Sequence, residues 1–567
     1  MAKIYRSATP DLQLHDVDLV SFIHSNPQNT PLDRLMYVDA LTGKGYTLQE
    51  VFQRTRSLAH GLRDLGVRPH DVVAFLSPNT IDYAVTCHAV IGCGAAVSPT
   101  SAALTALELR AQLKTSNARY MIVHSSLILT ARKAAKGTSV QKIIQADGHS
   151  AVDGIPTAHM LATSCPPSEL TSIAPYEAED RVAFICFSSG TSGPAKGVMI
   201  THKNVTANIQ QWQKHLGEED DASRHLNVVA FLPFNHIYGL NLYICTGLIK
   251  GSTVVVLPRF DLEVYLSCIQ RYRPEELALV PPVALLLVKS PVVRKYDLSS
   301  VRKIASAAAP LTKELATAVE GMFKQAYGTT VYCTQAWGLT ETSPLATATP
   351  PHRMVDKRFT VGCIAPNMEF RFVDPETMQD AQTKADGSTE LAEIWCRGPN
   401  VTKGYYNNEK ATLNAFYVDE DGRRWFRTGD IGSIDADGFV TISDRIKEMI
   451  KYKGLQVIPS ELEGKLLEHA DVADAAVVGV WVEEQATELP VGFVVLRQGR
   501  AQTDQAKKKL VEGIHHWLNQ RVANHKRLRG GIRIVDAIPK SPSGKILRRQ
   551  LKELVKEELK MERRAKL

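Results

Sequence analysis

Six short apolar runs recur along the first three-quarters of the chain: DVVAFLS (71–77), RYMIVHS (119–125), RVAFICF (181–187), NVVAFLP (227–233), STVVVLP (252–258) and LALVPP (277–282). Each is followed by an amphipathic stretch, and strands that alternate with helices in this rhythm build α/β domains with largely parallel sheets. A chain of 567 residues is too long for one hydrophobic core, so it must divide. The pattern changes near 425–456, where a turn at DADG (435–438) is flanked by short strands and followed by a dense charged run. Beyond it, ELEGKLLEHADV reads as helix, AAVVGVWV and PVGFVVLR as strands, and AQTDQAKKKLVEGIHHWLNQRV as helix. The expectation is therefore an α/β fold with mixed and parallel sheets over residues 1–445, and a small α+β domain over 446–567.

Within that frame SSGTSGPAKG (188–197) stands out, a Ser/Thr/Gly-rich run with one lysine entered directly from RVAFICF. Glycines let backbone N–H groups converge on an anion, hydroxyls add donors and Lys196 adds charge, which suits a polyphosphate. The Walker pattern G-x-x-x-x-G-K-[ST] is absent, since Gly197 follows the lysine. Val205, Ile209 and Trp212 at helical spacing place a helix over 202–216, directly after the loop, where its dipole would add to the anion site.

Charge and cysteine usage exclude several classes. The net charge of +7 is concentrated in residues 540–567, which hold ten Lys/Arg against four Asp/Glu and carry +6 alone. No basic stripe interleaved with aromatics remains to form a nucleic-acid groove, so no nucleic-acid partner is expected. Nine cysteines without a C-x-x-C pair read as reduced, mostly buried thiols. No membrane span is expected, because the longest apolar run, LALVPPVALLLV (277–288), is short and broken by two prolines. The tripeptide Ala565-Lys566-Leu567 has the small-basic-Leu form of the peroxisomal address, which implies a peroxisomal location and an import receptor as partner.

Further punctuated segments complete a series: FNHIYGLN (234–241), ASAAAPL (305–311), QAWGLTETS (335–343), WFRTGD (425–430), DRIKEMIKYKGLQ (444–456) and PKSPSGKILRR (539–549). With SSGTSGPAKG, in this order and over nearly the whole chain, they resemble the adenylate-forming superfamily of acyl-CoA synthetases, luciferases and peptide-synthetase adenylation domains. They are most like the 4-coumarate–CoA ligase branch. The resemblance implies an acid–thiol ligase. A small-molecule carboxylic acid attacks the α-phosphate of ATP to give acyl-AMP and pyrophosphate, and CoA then takes the acyl group. A luciferase-like or carrier-directed adenylating enzyme is the alternative within the superfamily, and an ATP-gated scaffold the alternative outside enzymes.

Carried over motif by motif, the resemblance implies that Ser189, Thr191, Ser192, Gly193 and Lys196 grip the phosphates, and that Trp337 walls the adenine where tyrosine is more common. Thr340 would bond a phosphate oxygen and Glu341 would hold Mg²⁺, a hard cation that prefers oxygen. Ala308 and Ala309 would let the chain pass close to adenine. Asp430 would accept from both ribose hydroxyls, as an acceptor-only group suits a vicinal diol, and Arg445 would contact the ribose or phosphate from the hinge. Lys545 would be the catalytic lysine of adenylation, while His236 would couple the two steps. Lys451, Gly454 and Gln456 would serve when CoA enters, and Lys447 would be the hinge of a mobile small domain, since two lysines on one domain cannot face one site together. Tyr238, Leu242, Ala307, Ala336, Pro344 and Leu345 would line the acyl pocket. Alanines at 307 and 336, where the plant coumarate ligases have glycine, narrow it toward a broader aryl or medium-chain acid.

Overall fold

The computed structural model describes residues 2–148, 154–188, 195–217, 226–453, 455–482, 485, 487–497, 500, 503–541 and 544–565. Three of the apolar runs become neighbours in one sheet. Strands Lys142–Gln145, Tyr120–Val123, Val72–Leu76, Ala96–Thr100 and Val182–Ser188 lie side by side in parallel, and Lys196–Thr201 closes the edge antiparallel. The other three also form parallel pairs. Asn227–Ala230, Thr253–Val256 and Leu35–Asp39 run together, as do Glu276–Leu279, Lys303–Ser306 and Tyr332–Gly338, the last continuing antiparallel into Leu345–Ala348 and Cys363–Ile364.

The helices between the strands follow their sequence chemistry. Leu48–Asp64 opens on a Thr47/Glu50 capping box and turns Leu48, Val51, Thr55, Leu58 and Leu62 inward. Tyr83–Gly92 is buried on every side, as an apolar helix without a polar face must be. Each fully buried Leu or Val contributes roughly 1.5–3 kcal/mol. All nine cysteines are free, and all but Cys165 are buried.

A fourth sheet is antiparallel: Tyr5–Arg6, Glu369–Val373, Ala392–Arg397, Arg424–Ile434 and Phe416–Val418, with Val440–Arg445 folded back onto Arg424–Ile434. The small C-terminal unit follows at once. Its long hairpin Val472–Val482/Thr487–Leu496 takes Ile532–Ile534 as a parallel edge, and helices Pro459–Leu467, Asp504–Asn519 and Arg548–Ala565 accompany it. Among the described residues, no apolar cluster joins the two units: the clusters of the large part end by Ile442 and those of the small part begin at Ile450. Among the described residues, no helix is long and apolar enough to cross a membrane.

One local expectation is overturned. No helix follows the Gly-rich loop directly, because Lys196–Thr201 is a strand, and helix His202–His215 starts only after it on a Thr201/Asn204 capping box. Six residues of strand put that helix terminus about 20 Å from the loop. The dipole cannot act there, since its influence fades within the first turn. The strands on either side, Val182–Ser188 and Lys196–Thr201, pair antiparallel, with Ser188 opposite Lys196.

Candidate active site

The paired strand ends at Ser188 and Lys196, the C-terminal ends of the sheet strands and the first turns of the small unit converge on one cleft of about 1140 Å³. Of the residues singled out by sequence, Lys196, His236, Tyr238, Ala307, Ala308, Ala336, Trp337, Thr340, Glu341, Pro344, Leu345, Arg445, Lys447 and Lys545 line it. Ser189, Thr191, Ser192, Gly193 and Gly454 lie outside the described residues, as do the side chain of Gln456 and Lys566-Leu567. Three residues stand back from the cleft wall. Leu242 sits on the π-helical segment Leu240–Thr246 and packs against the main core, Ala309 stands back while Ala307 and Ala308 face the cleft, and Asp430 lies behind Trp337 and Arg445. The apolar end of the cleft also includes Trp212, which packs with Leu345 and Ala336.

Backbone geometry fixes the walls. Ala308 has φ +70°, a left-handed conformation uncommon for a residue with a Cβ and typical of strained functional segments. At Gly338 a Cβ would lie 1.8 Å from the Pro344 carbonyl oxygen, so only glycine lets the 335–343 segment fold back on itself. The tight turn at 435–438 pairs Ile434 with Val440 and Gly432 with Ile442, and a one-residue bulge beyond them brings Asp430 opposite Arg445.

Three charged groupings divide the cleft. In the first, the Asp430 carboxylate is 2 % exposed; its Oδ2 accepts from Trp337 Nε1 at 2.9 Å and its Oδ1 pairs with Arg445 Nε at 2.9 Å. In the second, Glu341 Oε1 accepts from the Tyr405 hydroxyl at 2.9 Å, and Lys196 Nζ stands 4.6 Å from the centre of the Tyr405 ring. Burial, then the Glu341 charge, pushes the Tyr405 phenol well up, so it stays a donor.

In the third, Lys545 enters from the small unit on a turn in which Gly544 N–H donates to Ser541 O and Lys545 N–H to Ser541 Oγ. Gly544 has φ +81°, and a Cβ there would come within 3.1 Å of Pro282 Cδ on the opposite wall. Burial, then the Arg445 charge, lowers the Lys545 ammonium to about 8. Behind this turn Arg548 bridges Glu448 at 2.8 Å and Glu463. His236 caps the short helix Ile237–Gly239 through its Nδ1, and burial, then Lys545, lowers it to about 4, so it is neutral at pH 7. Lys451 is elsewhere: it is exposed on the hairpin Ile450–Tyr452/Leu455–Val457, opposite Gln456, with its N–H bonded to Glu488.

Tyr405, Glu448, Arg548 and Trp212 were not visible as site residues in the sequence. A GYY triplet at 404–406 was the one local sign of the first. The described residues hold no cluster of three or more His, Cys, Asp or Glu that could cage a metal. Glu341 Oε2 has no hydrogen-bond partner among them, so one carboxylate oxygen is available to share a cation with substrate phosphates, the usual manner of Mg²⁺.

Comparison with known proteins agrees with this arrangement. The AMP-binding enzyme family matches residues 23–406, and the AMP-binding enzyme C-terminal domain matches residues 461–545. The 4-coumarate–CoA ligase 1 of Petroselinum crispum is 36% identical over 557 residues, covering 97% of this chain and 96% of its own. The peroxisomal OPC-8:0-CoA ligase 1 of Arabidopsis thaliana is 35% identical over 538 residues, covering 94% and 92%. Among solved structures, a benzoate CoA ligase from Burkholderia xenovorans superposes with a TM-score of 0.78 at 24% identity, covering 94% of this chain and 99% of that one.

Proposed function

Because the chain belongs to the AMP-binding enzyme family and is an ATP-dependent acid–CoA ligase working through an acyl-AMP intermediate, we propose the acid, the residues and the order of events that this cleft serves. The acid is an aryl or medium-chain aliphatic carboxylic acid with no second charge. The acyl end of the cleft supports this: Trp212, Ala307, Ala336, Leu345 and the body of Tyr238 offer apolar surface with only a phenol among them. One methylene in such a pocket discriminates by only about 1–3 kcal/mol, so related acids are shared substrates.

In the first half-reaction the acid carboxylate attacks the α-phosphorus of ATP; the new O–P bond forms as the bond to pyrophosphate breaks. Such a step is catalysed by positioning and charge. Lys545 is the lysine that meets the developing charge, and Lys196 with the Gly-rich loop holds the departing pyrophosphate. Asp430 takes the ribose, Trp337 the adenine, and Thr340 a phosphate oxygen. Glu341 is the protein ligand of Mg²⁺, which when bound neutralises phosphate charge. In the second half-reaction the CoA thiol displaces AMP from the acyl carbon. Lys451, with Gly454 and Gln456, then replaces Lys545 at the cleft by rotation of residues 446–567 about Lys447, past His236. The separateness of the apolar clusters on either side of that hinge supports the rotation.

The observation that carries this reading is the approach of Lys545, from the small unit, to Arg445 of the large one within a cleft that also holds Lys196 and Glu341, with the Asp430 carboxylate paired to Arg445 just behind the wall. It is tested by pyrophosphate release across a panel of aryl and aliphatic acids, with and without CoA. Release with charged dicarboxylates but not with monocarboxylates would refute the acid class. A peroxisomal location, with an import receptor as partner, is supported by the peroxisomal relative of Arabidopsis thaliana. Deletion of Ala565 to Leu567 should disperse the protein to the cytosol with activity in extract unchanged; retention in peroxisomes would show that the tripeptide is not the address.

A further inference from the structure

We infer that Trp337 acts in the ribose subsite through its indole N–H: it is a positioning residue that holds the Asp430 carboxylate in the orientation that reads the sugar diol. The inference rests on the reading of Asp430 as the ribose acceptor and adds to the ring-face role of Trp337.

The arrangement is built from both sides. Trp337 lies near the end of strand Tyr332–Gly338 and is 8 % exposed; its ring meets Phe370 edge-on at 5.8 Å and packs in a cluster with Ala346, Ile364 and Phe426. A side chain packed on that many sides keeps one rotamer. Its N–H is therefore a fixed donor, and it points at Asp430 Oδ2, 2.9 Å away. Asp430 comes from a different strand, Arg424–Ile434, and its carboxylate is almost wholly buried. A buried carboxylate left without partners is costly and disordered in direction. Here Arg445 supplies charge on Oδ1 and Trp337 supplies a directional bond on Oδ2.

An ionised carboxylate has about four acceptor positions. One, on Oδ2, is committed to the Trp337 N–H, while buried Oδ1 is paired with Arg445 by charge and accepts no hydrogen bond among the described residues, so each oxygen keeps an acceptor position for a hydroxyl. A vicinal diol has two hydroxyls at matching spacing. Because the N–H sits on the five-membered edge of an indole, neither phenylalanine nor tyrosine can place a donor at the same point while keeping the ring face. The choice of tryptophan at 337 therefore couples adenine recognition to ribose recognition through one side chain.

The test compares kcat/KM for ATP, 2′-deoxy-ATP and 3′-deoxy-ATP in single-turnover pyrophosphate release by wild type, Trp337→Phe, Asp430→Asn and the double variant. Because Trp337→Phe could lose its fold, protein carrying benzothienylalanine at 337, which keeps the fused ring and lacks the N–H, is measured alongside. Loss of the N–H should cut the preference for ATP over the deoxy analogues about tenfold, mostly through KM. In the double variant the preference should fall no further than in Asp430→Asn alone, as for residues acting through one contact. If the benzothienyl protein keeps the full preference while Asp430→Asn loses it, the ribose reading stands and the positioning role is overturned. If Asp430→Asn keeps the preference too, the ribose reading itself fails and takes the inference with it.

Discussion

The two lysines of the small unit, Lys545 and Lys451, stand in opposite surroundings. Lys545 is half-buried in the cleft, within the fields of Arg445, Glu448 and Asp430, and its ammonium is lowered to about 8; Lys451 is exposed on a two-stranded hairpin and touches no wall of the cleft. The contacts that hold this orientation are few. Gly544 nestles against Pro282 and Val280, Lys289 Nζ donates to the Ala473 carbonyl at 2.9 Å, and Ser460 donates through its N–H to Asp444 at 3.1 Å and through its hydroxyl to the Ser443 carbonyl at 2.8 Å, while no described apolar cluster crosses between the units. A seam of that kind positions a group without locking it. The contrast teaches that the present arrangement serves the first half-reaction, and that the second requires the small unit to let go.

The proposed division of labour breaks if either lysine serves both halves. Lys545→Ala should slow acyl-AMP formation by roughly 10²–10³, the usual cost of one electrostatic group at a developing charge. Thioester formation from preformed acyl-AMP should survive, and equal loss in both assays would end the division. Lys447→Pro addresses the hinge. The N–H of Ile446 bonds to Gly429 O and those of Glu448 and Met449 to Arg445 O, but that of Lys447 makes no described backbone bond, so proline removes none. Single-turnover pyrophosphate release should persist with acyl-AMP accumulating, while thioester formation falls about a hundredfold. A folded Lys447→Pro that keeps both halves would remove the rotation.

Gly544→Ala sharpens the contrast at the contact itself. A methyl on a residue at φ +81° is strained, and it would press Pro282 at 3.1 Å, so the turn must back away and carry Lys545 with it. Adenylation should fall about tenfold, with the thioester step unchanged. A parallel loss in the thioester step would mean that the substitution acts on the stability of the small unit, which a thermal melt would show.

These residues also mark how far the sequence could be read. The α/β rhythm needed only local apolar runs and was legible, whereas the Asp430–Arg445 pairing depends on a one-residue bulge beyond the turn at 435–438, which the sequence did not announce. The helix over 202–216 was placed to within a residue, but the strand Lys196–Thr201 before it was missed, because GVMIT and HKNVT run together with apolar residues at spacings that suit a strand or a helix. Leu242, on the π-helical segment Leu240–Thr246, and Ala309 stand back from the cleft, which no pattern of residue types encodes. The Trp337–Asp430, Tyr405–Glu341 and Arg548–Glu448 contacts join distant segments, and only tertiary packing brings them together.

The smallest effect expected is on pH dependence, and it separates charge from geometry. Lys545 is lowered from the ordinary lysine value to about 8, so in the free enzyme it is charged below that pH and loses its proton as pH rises through it. If the positive charge assists attack on phosphorus, kcat/KM for ATP in adenylation should be about halved at pH 8 and then fall about tenfold per pH unit. The thioester step from preformed acyl-AMP, which does not use this lysine, should not follow that limb. Lys545→Arg keeps a charge that is effectively permanent. It should lower the plateau, because a planar guanidinium cannot copy the ammonium position, yet abolish the alkaline fall. An unchanged alkaline limb in Lys545→Arg would place the titrating group elsewhere, and the contrast between the two lysines would then rest on shape rather than charge.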